Sequence, residues 1–207
     1  MPWICFPFLA LAGCLAGLAG RWALRRTVPP VRLPGWGAVA AVTVLWPLVA
    51  WLGVPWWWLP VPLAVVGVAV PLFVVDLRER RLPDALTLPA YLLFAGALGF
   101  AAVERGAGLL WAALLGALVF GGLHAVIHRV IPHALGAGDV KLTGSLGLVL
   151  GATGWTAMVL AVFASALVTA VLGLLARIRG SPTWDDGVPH GPGLLTATAL
   201  VTLFPSQ

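Results

Sequence analysis

The chain has 207 residues, of which 61% are hydrophobic and 9% charged, and its mean hydropathy is +1.03. That leaves too little polar surface for a water-soluble globule, whereas long apolar runs mark a bilayer protein. The net charge of +5 comes from basic residues scattered between the apolar runs, with no aromatic-interleaved basic patch, so nothing in it calls for a nucleic-acid partner.

A membrane-crossing helix needs about 20 apolar residues at about 1.5 Å each, and lipid obliges each segment to satisfy its own backbone polar groups. Uninterrupted Leu, Ala and Val runs are incompatible with the alternation of a membrane barrel. The expected fold is all-α, a polytopic membrane helical bundle of 7–8 spans, near 4–20, 36–53, 58–75, 85–103, 108–130, 140–153, 155–176 and 191–204.

The first run contains Leu11-Ala12-Gly13-Cys14, which looks like a lipoprotein-processing box. No Lys or Arg precedes the run, so it is expected to stay as a span. Cys5 and Cys14 lie about 13 Å apart along one helix, beyond the roughly 6 Å that a disulfide bridges, and are read as buried small apolar residues with no zinc framework. Between the second and third runs, Trp56-Trp57-Trp58 is expected to anchor at the headgroup level. Asp76 then closes the apolar run from Val61 to Val75 and opens the polar connection that ends in Pro83 and Asp84.

In the fifth run His124 and His128 share a helix face, with His133 close behind. Such spacing can hold a metal, but the acids that would complete a site are not on that helix. A polar stripe facing the bundle interior, or a phospholipid contact, is the reading adopted, and no metal is expected. Next comes Gly136-Ala137-Gly138-Asp139-Val140-Lys141, an acid among glycines where one apolar stretch ends and another begins. The stretch from Leu142 to Ala176 would measure about 52 Å as one helix, so a break is expected at Gly151-Ala152-Thr153-Gly154.

Eleven of the 12 basic residues fall in connections on one side of this topology, and only Arg105 falls on the other. By the positive-inside rule those connections are cytoplasmic, with both termini outside and both Asp76 and Asp139 at the cytoplasmic face. The charge thus reports orientation and contact with anionic membrane lipid.

Only seven acids occur in the chain, and two of them end different spans on the same face. Peptide hydrolysis by aspartates needs one carboxylate to take a proton from water and one carboxylic acid to serve the scissile carbonyl and leaving amine. Two carboxyls close enough to share a water share one proton. Asp139 at a helix N-terminus is assigned as the base and Asp76 at a helix C-terminus as the acid. Gly136 and Gly138 are expected to let the backbone approach a substrate strand, and Lys141 to orient Asp139 or bind lipid phosphate. Asp84, beside Pro83, is read as a helix cap.

Val75-Asp76-Leu77, Arg81 to Pro89 and Gly136 to Leu142 together resemble the two signature regions of type IV prepilin peptidases, which are Gly-x-Gly-Asp membrane aspartyl proteases. Val188-Pro189-His190-Gly191-Pro192-Gly193 is similar to the turn that opens that family's last helix. The resemblance implies one transmembrane peptidase domain over 1–207, with 58–204 carrying the signatures and 1–57 looser. It also implies an endopeptidase of the bacterial inner membrane that cuts the leader from prepilins or pseudopilins at the cytoplasmic face. Asp76 and Asp139 match the catalytic positions, and no cofactor is implied. Larger members carry a cysteine-bearing insert after the first helix and also methylate the new N-terminus. Here the connection from Arg21 to Pro34 is short and lacks cysteine, so a peptidase without methyltransferase activity is expected. The competing readings are a small transporter or a pilus-assembly scaffold. A transporter calls for acids near the midplane and an internal repeat, neither of which the sequence displays.

Overall fold

The computed structural model describes residues 3–33, 35–131, 135–178 and 188–205. Its elements are helices: α1 (Cys5–Arg25), α2 (Gly37–Trp51), α3 (Pro60–Glu79), α4 (Asp84–Arg105), α5 (Gly108–Gly116), α6 (Gly122–Val130), α7 (Ala137–Thr153), α8 (Trp155–Ile178) and α9 (Gly191–Val201). A π-helical segment, Ala117–Gly121, joins α5 and α6 into one run. Five runs are long and apolar enough to cross a membrane: α1, α3, α4, the α5–α6 run and α8. The chain is a polytopic helical membrane protein, as the composition requires.

The remaining three helices are shorter. With 11 residues, α9 is about 16 Å long, roughly half the hydrocarbon thickness, so the last expected span is a half-length helix. The expected break after α7 falls at Gly154, which adopts φ 129°, a conformation open to glycine.

Helix α7 is the centre of the bundle. Every residue from Leu142 to Thr153 is buried, with α4, α5, α8 and α9 around it. Close packing between helices in lipid relies on small residues, and α7 supplies Gly144, Gly147 and Gly151. A Cβ on Gly147 would stand 2.7 Å from the Gly116 carbonyl oxygen, and one on Gly151 would overlap that of Ala112. Large apolar side chains on α8, including Phe163 and Leu167, point outward, as suits contact with lipid.

The connections group at two ends. At one, Arg81 Nη2 donates to the Pro29 carbonyl at 3.0 Å, joining the α1–α2 and α3–α4 connections, and Lys141 meets Asp84. At the other, Trp56 packs edge-on against Phe100 and Arg105 lies over the Trp57 ring. Arg105 alone among the described basic residues occupies that second end, and Arg179 lies outside the described residues.

Two expectations change here. Trp56 is exposed, but Trp58 is fully buried and its Nε1–H donates to the Thr202 carbonyl at 2.8 Å. Trp58 is therefore a core residue that ties the start of α3 to the end of α9, whereas the interfacial reading suits Trp56. Cys5 and Cys14 are free thiols and only partly buried.

Candidate active site

Asp76 occupies the last turn of α3 and is 5% exposed. The helix cannot continue far, because the residue before a proline is driven from the helical region and Leu82 precedes Pro83. Arg80 closes it in the left-handed conformation, φ 51°, with its amide donating to the Asp76 carbonyl at 2.9 Å. Leu82 then passes through the core, and Pro83 takes the N-cap position of α4 in an extended conformation.

Asp139 lies in the first turn of α7. Its Oδ2 accepts the Gly136 amide at 3.1 Å, and its own amide donates back to the Gly136 carbonyl at 3.0 Å. This reciprocal pair satisfies two groups that a helix start otherwise leaves free and sets a carboxylate at the positive end of the helix dipole.

The third contributor is the start of α9. The Gly191 amide donates toward the Asp76 carboxyl, and a Cβ on Gly191 would overlap Asp76 Oδ2. Leu82 connects the pieces. A Cβ on Gly138 would stand 3.0 Å from Leu82 Cβ, and one on Gly191 3.4 Å from Leu82 Cδ1. Three helix ends thus converge on one leucine, which brings Asp76 and Asp139 within direct electrostatic reach of each other. Asp76 Oδ2 and Asp139 Oδ1 are both buried without a hydrogen-bond partner. One orphaned oxygen on each of two neighbouring carboxyls leaves each with an unused acceptor, which suits a shared proton.

Two histidines join the constellation. His190, the residue before α9, has Nδ1 3.3 Å from Thr169 Oγ1 and interacts electrostatically with Asp139 and His124. Burial pushes its imidazole below the ordinary histidine value, with Asp139 opposing and His124 adding to the shift. His124 is buried, and its Nδ1 lies 2.7 Å from the Phe120 carbonyl, which as an acceptor requires the proton on Nδ1. It faces the bundle interior, one turn past the π-helical segment that shifts the register of this run. His128 instead meets the Leu135 carbonyl through Nδ1 at 2.7 Å, and His133 lies outside the described residues. Among the described residues no three His, Cys, Asp or Glu side chains are arranged to hold a metal.

Several expected roles are redistributed. Lys141 Nζ is 2.8 Å from both carboxylate oxygens of Asp84 and so is engaged by Asp84, not by Asp139. Asp84 makes no side-chain cap, since Pro83 holds that position. The open side of Gly138 faces Leu82, and that of Gly136 faces Asp139 Oδ2 at 3.2 Å, so both glycines serve close internal packing. Tyr91 on α4 adds a second tie to this end of α7, donating to the Lys141 carbonyl at 2.9 Å. The participation of His190 has no local signature beyond its position immediately before a Gly-Pro helix start, because its partners lie far away in the chain.

This is a multi-pass membrane protein with a paired-carboxylate site built from helix ends. The model of the type IV leader peptidase family matches residues 63–174, and the chain belongs to that family. The prepilin leader peptidase/N-methyltransferase of Aeromonas salmonicida is 30% identical over 206 residues, covering 93% of this chain and 61% of that protein. The protein of the same description in Aeromonas hydrophila matches at the same identity and coverage. Its counterpart in Burkholderia pseudomallei is 33% identical over 142 residues, 63% of this chain and 41% of that protein. The chain therefore spans about three fifths of the length of the Aeromonas relatives. No solved structure matches it.

Proposed function

We propose that this chain is an aspartyl endopeptidase that removes the leader of prepilins or pseudopilins at the cytoplasmic face of the bacterial inner membrane, with Asp76 and Asp139 as its catalytic pair. The observation that carries the reading is the pair of buried, unpartnered oxygens, Asp76 Oδ2 and Asp139 Oδ1, on carboxyls close enough to interact electrostatically. Family membership and the relatives' names support the substrate class. The clustering of basic residues at the end that holds the pair supports the cytoplasmic orientation.

In the proposed reaction Asp139 begins as the base, because its carboxylate sits at a helix N-terminus and accepts the Gly136 amide. It takes a proton from water, whose oxygen adds to the scissile carbonyl carbon while Asp76 donates its proton to the carbonyl oxygen. Collapse of the gem-diol intermediate breaks the C–N bond: the proton held by Asp139 passes to the leaving amine, and one hydroxyl returns its proton to Asp76 as the carboxylic acid product forms. The titration belongs to the pair as a unit.

The test is cleavage of a co-expressed prepilin in membranes by the unaltered chain and by Asp76→Asn and Asp139→Asn, each checked for normal membrane abundance. Each variant is expected to lose about 100-fold or more in rate. Full-rate cleavage by either would remove that residue from the pair, and no cleavage by the unaltered chain would remove the substrate assignment.

A further inference from the structure

At the end of the bundle that holds the paired aspartates, but in a different connection, the structure forms a cavity of about 580 Å³ lined by Arg21, Arg25, Pro30, Arg32 and Leu33. Three guanidinium groups around one space without a carboxylate create a strong demand for an anion. The described ion pairs, Arg81 with Glu79 and Lys141 with Asp84, involve none of the three. Arg21 is held in place, since its Nη1 donates to the Gly35 carbonyl and its guanidinium lies over the Trp36 ring, 4.6 Å from the centroid. Its Nε is nevertheless buried without a hydrogen-bond partner.

The surroundings fix the depth of this cavity in the membrane. It lies where the apolar run of α1 ends, between Trp22 and Trp36, both more than half exposed, with Arg26 stacked over Trp22 at 3.9 Å. Exposed indoles paired with arginines at the end of a membrane helix belong at the headgroup level. An anion met at that depth is a phosphate, and a guanidinium matches phosphate oxygens with paired donors. Pro30 and Leu33 supply an apolar wall, which suits the glycerol portion of a phospholipid better than a hydrated ion.

We propose that Arg21, Arg25 and Arg32 form a binding site for the phosphate of an anionic phospholipid headgroup. The loop that closes the cavity is tied to the acid site. Pro29 accepts from Arg81, and the next residue, Leu82, is the one on which Gly138 and Gly191 converge. A lipid seated here braces the connection that positions the Asp76 end of α3.

The experiment reconstitutes the full chain in nanodiscs of phosphatidylcholine containing a minor fraction of phosphatidylglycerol, then counts the lipids that stay bound by native mass spectrometry. One phosphatidylglycerol is expected to be retained per chain in preference to phosphatidylcholine. Arg25→Gln with Arg32→Gln is expected to weaken retention about tenfold or more, at about a few-fold for each arginine. Arg25→Lys with Arg32→Lys keeps the charge but not the paired donors and is expected to fall between the unaltered chain and the double Gln variant, while Arg105→Gln, at the other end, is expected to change nothing. Arg21 is left intact because it also holds the loop. Unchanged retention in the double Gln variant, with helicity and monodispersity preserved, would overturn the site. Displacement of the lipid by equimolar inorganic phosphate would overturn the lipid assignment in favour of a free phosphate, and displacement by an acidic peptide would overturn it in favour of a peptide carboxylate.

Discussion

The backbone of Gly191 lies against the carboxyl of Asp76 with no space for a side chain between them, although the two residues belong to α9 and α3. The fit couples the position of a half-length helix to the geometry of a buried acid. Gly191→Ala must push the start of α9 away from Asp76 or turn the carboxyl aside. A displacement of about 1 Å at a reacting group is enough to cost about 100-fold in rate. The expected result is a stable, membrane-inserted protein whose prepilin cleavage falls by that order, measured against the unaltered chain at matched abundance. Cleavage within a factor of two would mean that the Gly191 contact is incidental.

His190 makes the protein sensitive to acid. Its folded value is pushed below the ordinary 6.5 by burial, so the native state resists its protonation while the unfolded chain does not. Stability therefore falls as pH drops below about 6.5 and stops falling from this source once pH passes below the folded value. Asp139, His124 and Thr169 are the groups that interact with this imidazole. The melting temperature in detergent, followed from pH 7.5 to 5, is expected to shift downward for the unaltered chain relative to His190→Asn, which lacks this imidazole. An identical pH dependence in the two proteins would remove His190 as a source of acid sensitivity.

Much of the bundle was legible in the chain. Apolar run length located the helices, and Gly154 ended α7 where one helix would have been too long. The site was legible in part, since Asp76 and Asp139 stand out as acids at the ends of apolar runs. What could not be read were the contacts that cross the fold. His190 reaches Asp139 only because α9 starts beside the first turn of α7, and while His124 faces the interior as its stripe implies, its interaction with His190 depends on the packing of another helix. The assignment of Lys141 to Asp84 likewise depends on how α4 and α7 begin side by side. Local patterning sets helices and their ends, while partners remote in sequence depend on packing.

The three consecutive tryptophans show the same boundary and give a direct comparison. Trp58 is fully buried and donates to Thr202, so Trp58→Phe removes a donor, leaves that carbonyl unpaired and shortens a packed ring system. The expected loss is about 1–3 kcal/mol in stability. Trp56 is exposed at the same end, and Trp56→Phe is expected to change stability by less than about 0.5 kcal/mol. Parallel thermal unfolding in one detergent measures both. Equal effects would mean that the whole cluster serves as a surface anchor.

Lys141 and Asp84 form a bidentate pair between the N-terminal parts of α7 and α4, and both side chains are partly exposed to solvent. Such a pair contributes little to stability, about 1 kcal/mol or less. Its effect on activity is expected to exceed its effect on stability, because it holds the turn that carries Asp139 beside the connection that carries Leu82. Lys141→Gln and Asp84→Asn are each expected to lower the cleavage rate several-fold with little change in melting temperature. The exchange Asp84→Lys with Lys141→Asp re-forms the attraction with its polarity reversed. If the pair acts as a tie, the exchanged protein recovers most of the lost rate and the double-mutant cycle reports coupling. If Lys141 instead acts on Asp139, on lipid phosphate or on the substrate, the exchange places an acid where a cation is needed, and the rate falls below that of either single variant.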